Sequence, residues 1–299
     1  MVPSPEVASR NASGLPDVSW GVRRERFPRV VVVVLALLAC LPPIPLRADE
    51  PVPTEQQLLF LKNARIVSSR PIGKGVTGAL RLTLSDGSLT HDAAFQSVDE
   101  KSSVRDIQEG RKRAGELRFV DSFRYNIAAW ELARLLALDQ MMPATVERRY
   151  NGAIGALSWW VDDVLMDEQE RERTNAGPSG GGTVVMVRER QKMNVFAELV
   201  YDTDRNKGNV IYTRDWRVIM LDFTRAFRTQ STLRRPESLA SCDRNLLARL
   251  RTLTRQEVAA AVGSQLTPAE VDAMMKRRGL IVEHFDRLVK EKGEGLVLY

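Results

Sequence analysis

Tyr201-Asp202-Thr203-Asp204-Arg205-Asn206-Lys207-Gly208-Asn209-Val210-Ile211-Tyr212, followed by Val218-Ile219-Met220-Leu221-Asp222-Phe223-Thr224-Arg225-Ala226-Phe227, is the stretch on which the fold turns. It reads as loop, short strand, turn, short strand, loop. Asp204 and Asn209 stand five apart in the polar loop, and Asp222 closes a hydrophobic run that begins at Val218. A hairpin that brings a carboxylate, a carboxamide and a second carboxylate together makes a site of hard oxygen ligands. Mg²⁺ prefers such a site, above all when phosphates complete its shell. Phosphotransfer needs the same set, with one Asp near the acceptor hydroxyl and an Asn and an Asp on the metal. The plainer alternative is a polar hairpin whose Asp, Asn and Gly residues only make turns.

The segment resembles the catalytic and metal-binding loops of the atypical kinase branch, which includes phosphatidylinositol 3-/4-kinases, HipA-type bacterial toxin kinases and secretory-pathway kinases. There the pattern is Asp-Arg-His-x-x-Asn, then an apolar strand ending in Asp. Here it stands as Asp204-Arg205-Asn206-Lys207-Gly208-Asn209, then Leu221-Asp222-Phe223, with Asn206 in place of His. The resemblance implies an α+β, two-lobed protein-kinase-like fold: a small antiparallel β N-lobe with one helix, and a mainly helical C-lobe. It also implies ATP and Mg²⁺ as cofactors, Asp204 as the catalytic residue, and Asn209 and Asp222 as metal ligands.

Upstream the order of elements fits an N-lobe. Gln57 to Ala64 reads as a short helix, and Ala64 to Ser69 as a strand. Pro71-Ile72-Gly73-Lys74-Gly75-Val76-Thr77-Gly78 is a glycine-rich turn, and Ala79 to Leu84 alternates apolar and polar as a half-buried strand does. Asp86-Gly87 signals a hairpin into a third strand, His91 to Val98. Gly73, Gly75 and Gly78 would let backbone amides approach phosphate oxygens; taken alone, such glycines merely permit a turn. Asp99 to Glu116 is charged and reads as a mobile loop or an exposed helix.

Asp121 to Leu138 reads as a helix with Ala128, Leu132, Leu135 and Leu136 on its buried stripe. Its Ala128-Ala129-Trp130-Glu131-Leu132, running on to Pro143-Ala144-Thr145-Val146, resembles the helix and following strand of the same kinase branch. Gly155 to Val161 is the next strand, entering a hinge where adenine would stack; core packing accounts equally well for Trp159 and Trp160. Asn175 to Gly182 is a flexible loop, Asn194 to Tyr201 a helix, and the chain after Phe227 helical. Thr254-Arg255-Gln256-Glu257 and Thr267-Pro268-Ala269-Glu270 are capping boxes, the second with Pro at the first helical position.

Two positions depart from the resemblance. The third-strand pattern Ala-Phe-Lys reads Ala94-Phe95-Gln96, so Gln96 replaces the phosphate-binding Lys. The helix Glu that would pair with that Lys falls at Asn126. A neutral Gln–Asn pair can hydrogen-bond but brings no positive charge to phosphates. Losing both members together leaves no buried unpaired charge. Lys74 in the glycine-rich turn, or Lys101, could supply a cation. The nucleotide site is thus expected at Gly73, Lys74, Gly75, Gly78, Gln96 and Asn126.

At the N-terminus, Arg23, Arg24, Arg26 and Arg29 precede a twelve-residue apolar run, Val30 to Leu41. That run is short for a bilayer span and suits a signal-peptide core. The expected organisation is 1–48 as a signal peptide or lipoprotein leader, 49–157 as linker and N-lobe, and 158–299 as C-lobe. A mature chain would begin at Asp49 or at a lipidated Cys40, giving an exported periplasmic or extracellular protein; an uncleaved anchor is the alternative, and membrane contact is expected only through the leader or a lipid anchor.

Composition narrows the function. The chain is 43% hydrophobic and 27% charged, an ordinary globular balance. Its formal charge of +6 includes a leader excess of three, six Arg against three acidic residues. The remaining +3 forms no basic stripe with interleaved aromatics, so nucleic acid is not an expected partner. Two histidines, His91 and His284, leave no His–Cys metal spacing and argue against a Ser-His-Asp triad. Cys40 falls in the leader and Cys242 stands alone. The expected partners are a nucleotide and a protein, lipid or small-molecule acceptor. Three activities fit: phosphotransfer, nucleotide or partner binding without turnover (a pseudokinase), and, less directly, nucleotidyl transfer.

Overall fold

The structure is a computed structural model and describes residues 52–73, 78–109 and 112–299. The expected leader, Lys74 and Gly75 lie outside the described residues. Two hairpins and a late strand make the first sheet. Strands β1 (Arg65–Pro71), β2 (Leu80–Ser85) and β3 (Thr90–Gln96) run antiparallel. Asp86 and Gly87 turn β2 into β3: Asp86 Oδ1 accepts from the amides of Ser88 and Leu89, and Gly87 takes φ +93°. After a second ribbon come β6 (Thr145–Tyr150) and β7 (Ala153–Trp159), which return to this sheet in the order β1-β2-β3-β7-β6. Where β7 crosses β3 the backbones approach closely. A Cβ at Gly155 would lie 2.4 Å from the Gln96 carbonyl oxygen, so only glycine fits there.

The charged stretch read as a loop or exposed helix is instead a long antiparallel ribbon, β4 (Asp99–Glu109) with β5 (Lys112–Ser122). The backbone pairs in one register from Asp99↔Ser122 to Glu109↔Lys112. Dense charge hid a strand alternation that a two-stranded ribbon needs only weakly, since neither face has to be uniformly apolar. The ribbon also moves the following helix start from Asp121 to Arg124.

That helix, α2 (Arg124–Leu135), is buried on most of its circumference, with Ala128, Ala129, Trp130, Leu132 and Ala133 all at 2% exposure or less. Leu135, expected on the buried stripe, is only partly covered. Helix α1 (Thr54–Asn63) packs on the sheet's far edge, where the Arg148 guanidinium of β6 donates to the carbonyls of Leu61 and Ala64.

The second half is mainly helical. A short strand β8 (Val164–Asp167) leads into α3 (Glu168–Thr174) and the long α4 (Gly181–Val200). Helix was expected only from Asn194, but it begins at Gly181, inside the stretch Asn175 to Gly182 expected as a flexible loop. Strands β9 (Val210–Thr213) and β10 (Val218–Met220) form the expected hairpin and join β8 in a three-stranded sheet, β10-β9-β8. Helices α5 (Arg244–Thr252), α6 (Arg255–Val262), α7 (Pro268–Lys292) and α8 (Glu294–Val297) complete the chain. Both capping boxes form reciprocally, at Thr254/Glu257 and Thr267/Glu270. His284 is structural, its Nε2 bonded to the Leu239 carbonyl at 2.8 Å. The expected α+β class holds: an antiparallel sheet in the N-terminal part and a mainly helical C-terminal part. Among the described residues, no helix is long and apolar enough to cross a membrane.

Candidate functional site

The polar loop after α4 is held by its own side chains. Tyr201 ends the helix in the left-handed region at φ 50°. Asp202, 2% exposed, then accepts the Asp204 amide on Oδ1 (3.0 Å) and the Arg205 guanidinium on Oδ2 (2.8 Å from Nε). Asn206 caps a 3-10 turn, its Oδ1 accepting from Gly208 N and Asn209 N at 2.9 and 3.1 Å. Asn209 Nδ2 donates back to the Asp204 carbonyl at 3.2 Å. With the amide nitrogen so engaged, the carboxamide oxygen is the free end.

Arg205 ties this loop to the next one. Its Nη1 donates to the carbonyls of Asn209 (2.9 Å) and Leu221 (2.5 Å), its Nη2 approaches the Asp222 carbonyl at 3.4 Å, and its guanidinium lies 4.2 Å over the Phe223 ring. Asp222 itself sits at φ 52°, a conformation an L residue adopts at a cost. Three hydrogen bonds hold this turn. Its Oδ1 accepts from Thr224 N (3.2 Å) and Thr224 Oγ1 (2.9 Å), and the Phe223 amide donates to Asn126 Oδ1 at 2.6 Å. Burial pushes the Asp222 carboxyl above its usual range, against the lowering effect of the Thr224 bonds.

Gln96 and Asn126 replace an ion pair with an amide pair. Asn126 Nδ2 donates to Gln96 Oε1 at 2.6 Å, and Gln96 Nε2 reaches Asp222 Oδ2 at 3.5 Å. Thus β3, α2 and the loop after β10 meet at one carboxylate. Asp222 Oδ1 is occupied by Thr224, while among the described residues Oδ2 has only this long contact from Gln96.

A cleft of about 1060 Å³ opens here between the sheet and the helical part. Gln96, Asn126, Asn209 and Asp222 line its polar end; Trp159, Trp160 and Val161 lie at the expected hinge. Trp159 also stacks on His91 (3.7 Å between centroids), and Trp160 carries the Arg81 guanidinium 4.0 Å above its ring. Asp204 is not among the lining residues. It is 39% exposed in its side chain and pairs with Arg225 at 3.4 Å. Gly73 and Gly78 flank the cleft through their neighbours Ile72 and Ala79, which do line it. Gly78 takes φ +64°, as a glycine turn allows.

The donor set fits a small hard cation. Among the described residues no three His, Cys, Asp or Glu side chains cluster as a metal site. A metal here would take one carboxylate, Asp222, and one carboxamide, Asn209. Mg²⁺ is commonly held in that way, with phosphates and water supplying the rest. The described lining has three carboxylates, Asp167, Glu170 and Asp222, against one guanidinium, Arg173. Arg173 is itself spent on Glu170, at 2.9 and 2.6 Å. An anion entering this cleft needs a cation with it.

A buried cluster behind β9 supports the hairpin, and the sequence reading did not pick it out. Glu168, 5% exposed, accepts from Arg171 (2.6 and 3.1 Å), Arg190 (2.5 Å) and the Tyr212 hydroxyl (2.6 Å). Burial alone would raise its pKa, but the Arg171, Tyr212 and Arg190 bonds outweigh burial and bring it down to about 2. The stabilisation, up to about 3 kcal/mol, is full above the unfolded-state value near 4.3 and is lost as pH falls towards 2. Chemical denaturation of the wild type is expected to lose about 2 kcal/mol from this group between pH 5 and pH 3. In Glu168→Gln the loss over that interval should shrink by that amount, and an unchanged pH slope would contradict the assignment.

No protein-family model matches the chain, and no curated protein matches it. Among solved structures it is similar to the crystal structure of a Helicobacter pylori proinflammatory kinase, CtkA, with a TM-score of 0.46 and 9% identity. The match covers 77% of this chain and 98% of that one.

Proposed function

We propose that this chain is a kinase-like phosphotransferase of the atypical branch, using Mg-ATP and transferring to an acceptor hydroxyl. The observation that carries the reading is the meeting of Asn209 and Asp222 in one cleft, with an apolar, tryptophan-bearing end at hinge distance along the chain. Asn209 and Asp222 would hold Mg²⁺, which when bound supplies the positive charge that the lining lacks. Asp204, on the outer side of the loop, would take the hydroxyl proton as the acceptor oxygen bonds to the γ-phosphorus and the bond to ADP breaks. Arg205 keeps the two loops in register for this.

The Gln96–Asn126 bond favours a second reading, nucleotide binding without turnover, because it fills with neutral amides the place where a cation would meet the phosphates. Calorimetric titration of ATP with and without Mg²⁺, followed by mass analysis for transferred phosphate, separates the two. Gln96→Lys/Asn126→Glu probes the departure directly. Since Gln96 reaches Asp222 and Asn126 holds the Phe223 amide, the pair is built into the metal loop. The double change is therefore expected to weaken Mg-ATP binding about tenfold or more, about the net worth of one hydrogen bond. Tighter binding would show instead that the site merely lacks its lysine. No binding at millimolar Mg-ATP in either protein would defeat both readings.

A further inference from the structure

Arg225 joins three parts of the site. Its Nε pairs with Asp121 Oδ2 at 3.2 Å and its Nη1 with Asp204 Oδ2 at 3.4 Å. Its backbone is fixed separately, since its carbonyl accepts from Thr203 Oγ1 at 2.8 Å and lies 3.4 Å from Thr203 N. The far carboxylate is fixed as well. Asp121 is 3% exposed and is the last residue but one of β5, and Ser122, which ends the strand, donates its amide to the Thr224 carbonyl at 2.8 Å. Asp121 Oδ1 is buried with no hydrogen-bond partner. A carboxylate buried with one oxygen unsatisfied costs stability. Its remaining oxygen is committed to Arg225.

From this chain of contacts we infer that Arg225 is a positioning residue for Asp204, and that Asp121 acts on Asp204 only through Arg225. Asp204 is the most accessible carboxylate of the polar loop, and its side-chain contacts within that loop are weak: Asn206 Nδ2 meets its Oδ1 at 3.3 Å. Arg225 supplies the charged contact that limits its rotamers. Asp121 holds the guanidinium from the opposite side, so that it bridges the two carboxylates rather than closing on one. The ribbon, the metal loop and the catalytic-like loop are thereby joined at one side chain.

The activity arm of the test rests on the phosphotransfer reading; the exchange arm does not. Arg225→Met keeps the bonds between the Arg225 carbonyl and Thr203, because those are made by the backbone. In the purified full chain, amide hydrogen exchange across residues 203–209 is expected to speed up at least tenfold in Arg225→Met. Exchange in α7 should stay as in the wild type, and Arg225→Lys should recover part of the protection. Unchanged exchange at 203–209 would overturn the inference whether or not the protein transfers phosphate. With Mg-ATP and an acceptor, Arg225→Met should lower kcat about tenfold and leave nucleotide affinity within twofold. Asp121→Asn should lower kcat similarly, and the double variant should be no slower than Arg225→Met alone. Multiplying losses would show that Asp121 acts by another route. Nucleotide affinity falling in step with kcat would show a merely structural role. A wild type that transfers nothing would count against the proposed function, and the exchange experiment would then decide the role of Arg225 by itself.

Discussion

Asp222→Ala is expected to abolish Mg²⁺-dependent nucleotide binding, while Asp204→Ala spares binding and lowers transfer by about 10²–10⁴-fold. The different tasks proposed for the two carboxylates follow from their different placement. Asp222 lines the cleft beside Gln96, Asn126 and Asn209, and its Oδ2 meets Gln96 Nε2 at 3.5 Å. Its burial raises its pKa, so the ionised form is held at a cost that a bound cation relieves. Metal binding should accordingly weaken as pH falls, because proton and Mg²⁺ compete for the same carboxylate. Asp204 lies outside the lining and half-exposed, where it can meet an acceptor but not the polar end of the cleft. The Ala change at Asp222 also removes the bonds to Thr224, so Asp222→Asn is the needed control. It retains an oxygen for Thr224 and loses the charge. Titration of Mg-ATP into all three variants, with transfer measured at saturating nucleotide, checks the division of labour. Equal loss of nucleotide binding in Asp204→Ala and Asp222→Ala would refute it.

What the sequence disclosed, and what it hid, follows from how local each feature is. The hairpin of Val210–Thr213 and Val218–Met220 was legible because two short apolar runs flank a turn, and both strands are buried along their whole length. The capping boxes were legible because their partners stand three residues apart. The Gln96–Asn126 bond was anticipated as a possibility from two departures at matching places, and it forms at 2.6 Å. The ribbon from Asp99 to Ser122 was not legible. Its pairing is set by backbone register, and its charged residues gave no apolar face to read. The reach of helix α4 back to Gly181 was hidden by three consecutive glycines, whose propensity argues for a loop. Arg205, Arg225 and Glu168 were missed as organisers for a different reason. Their decisive bonds span 16 to 104 residues, from Arg205 to the Leu221 carbonyl, from Arg190 to the Glu168 carboxylate and from Arg225 to Asp121, and no sequence spacing singles those partners out. A buried arginine beside paired Asp residues is a signal only after the loops are placed.

Arg205→Met is expected to cost about 3–5 kcal/mol of stability, the loss typical of removing one partner of a buried ion pair. The Arg205 side chain is 5% exposed and its Asp202 partner 1%, with 2.5 Å between Nη2 and Oδ2. Methionine matches the length of the stem and could keep contact with the Phe223 ring, so packing is not what is lost. Asp202 would be left charged and buried, and the carbonyls of Asn209 and Leu221 would lose their donor. The unpaired carboxylate should dominate that cost. Asp202→Asn/Arg205→Met therefore ought to recover part of the stability, because an amide can still accept the Asp204 amide proton and carries no charge. It should not recover nucleotide binding, since the tie between the Asn209 and Asp222 loops stays broken. Urea denaturation gives the stability of all three proteins, and Mg-ATP titration gives the binding. A single variant that loses under 1 kcal/mol would mean that water reaches Asp202 and that Arg205 is not the tie between the loops.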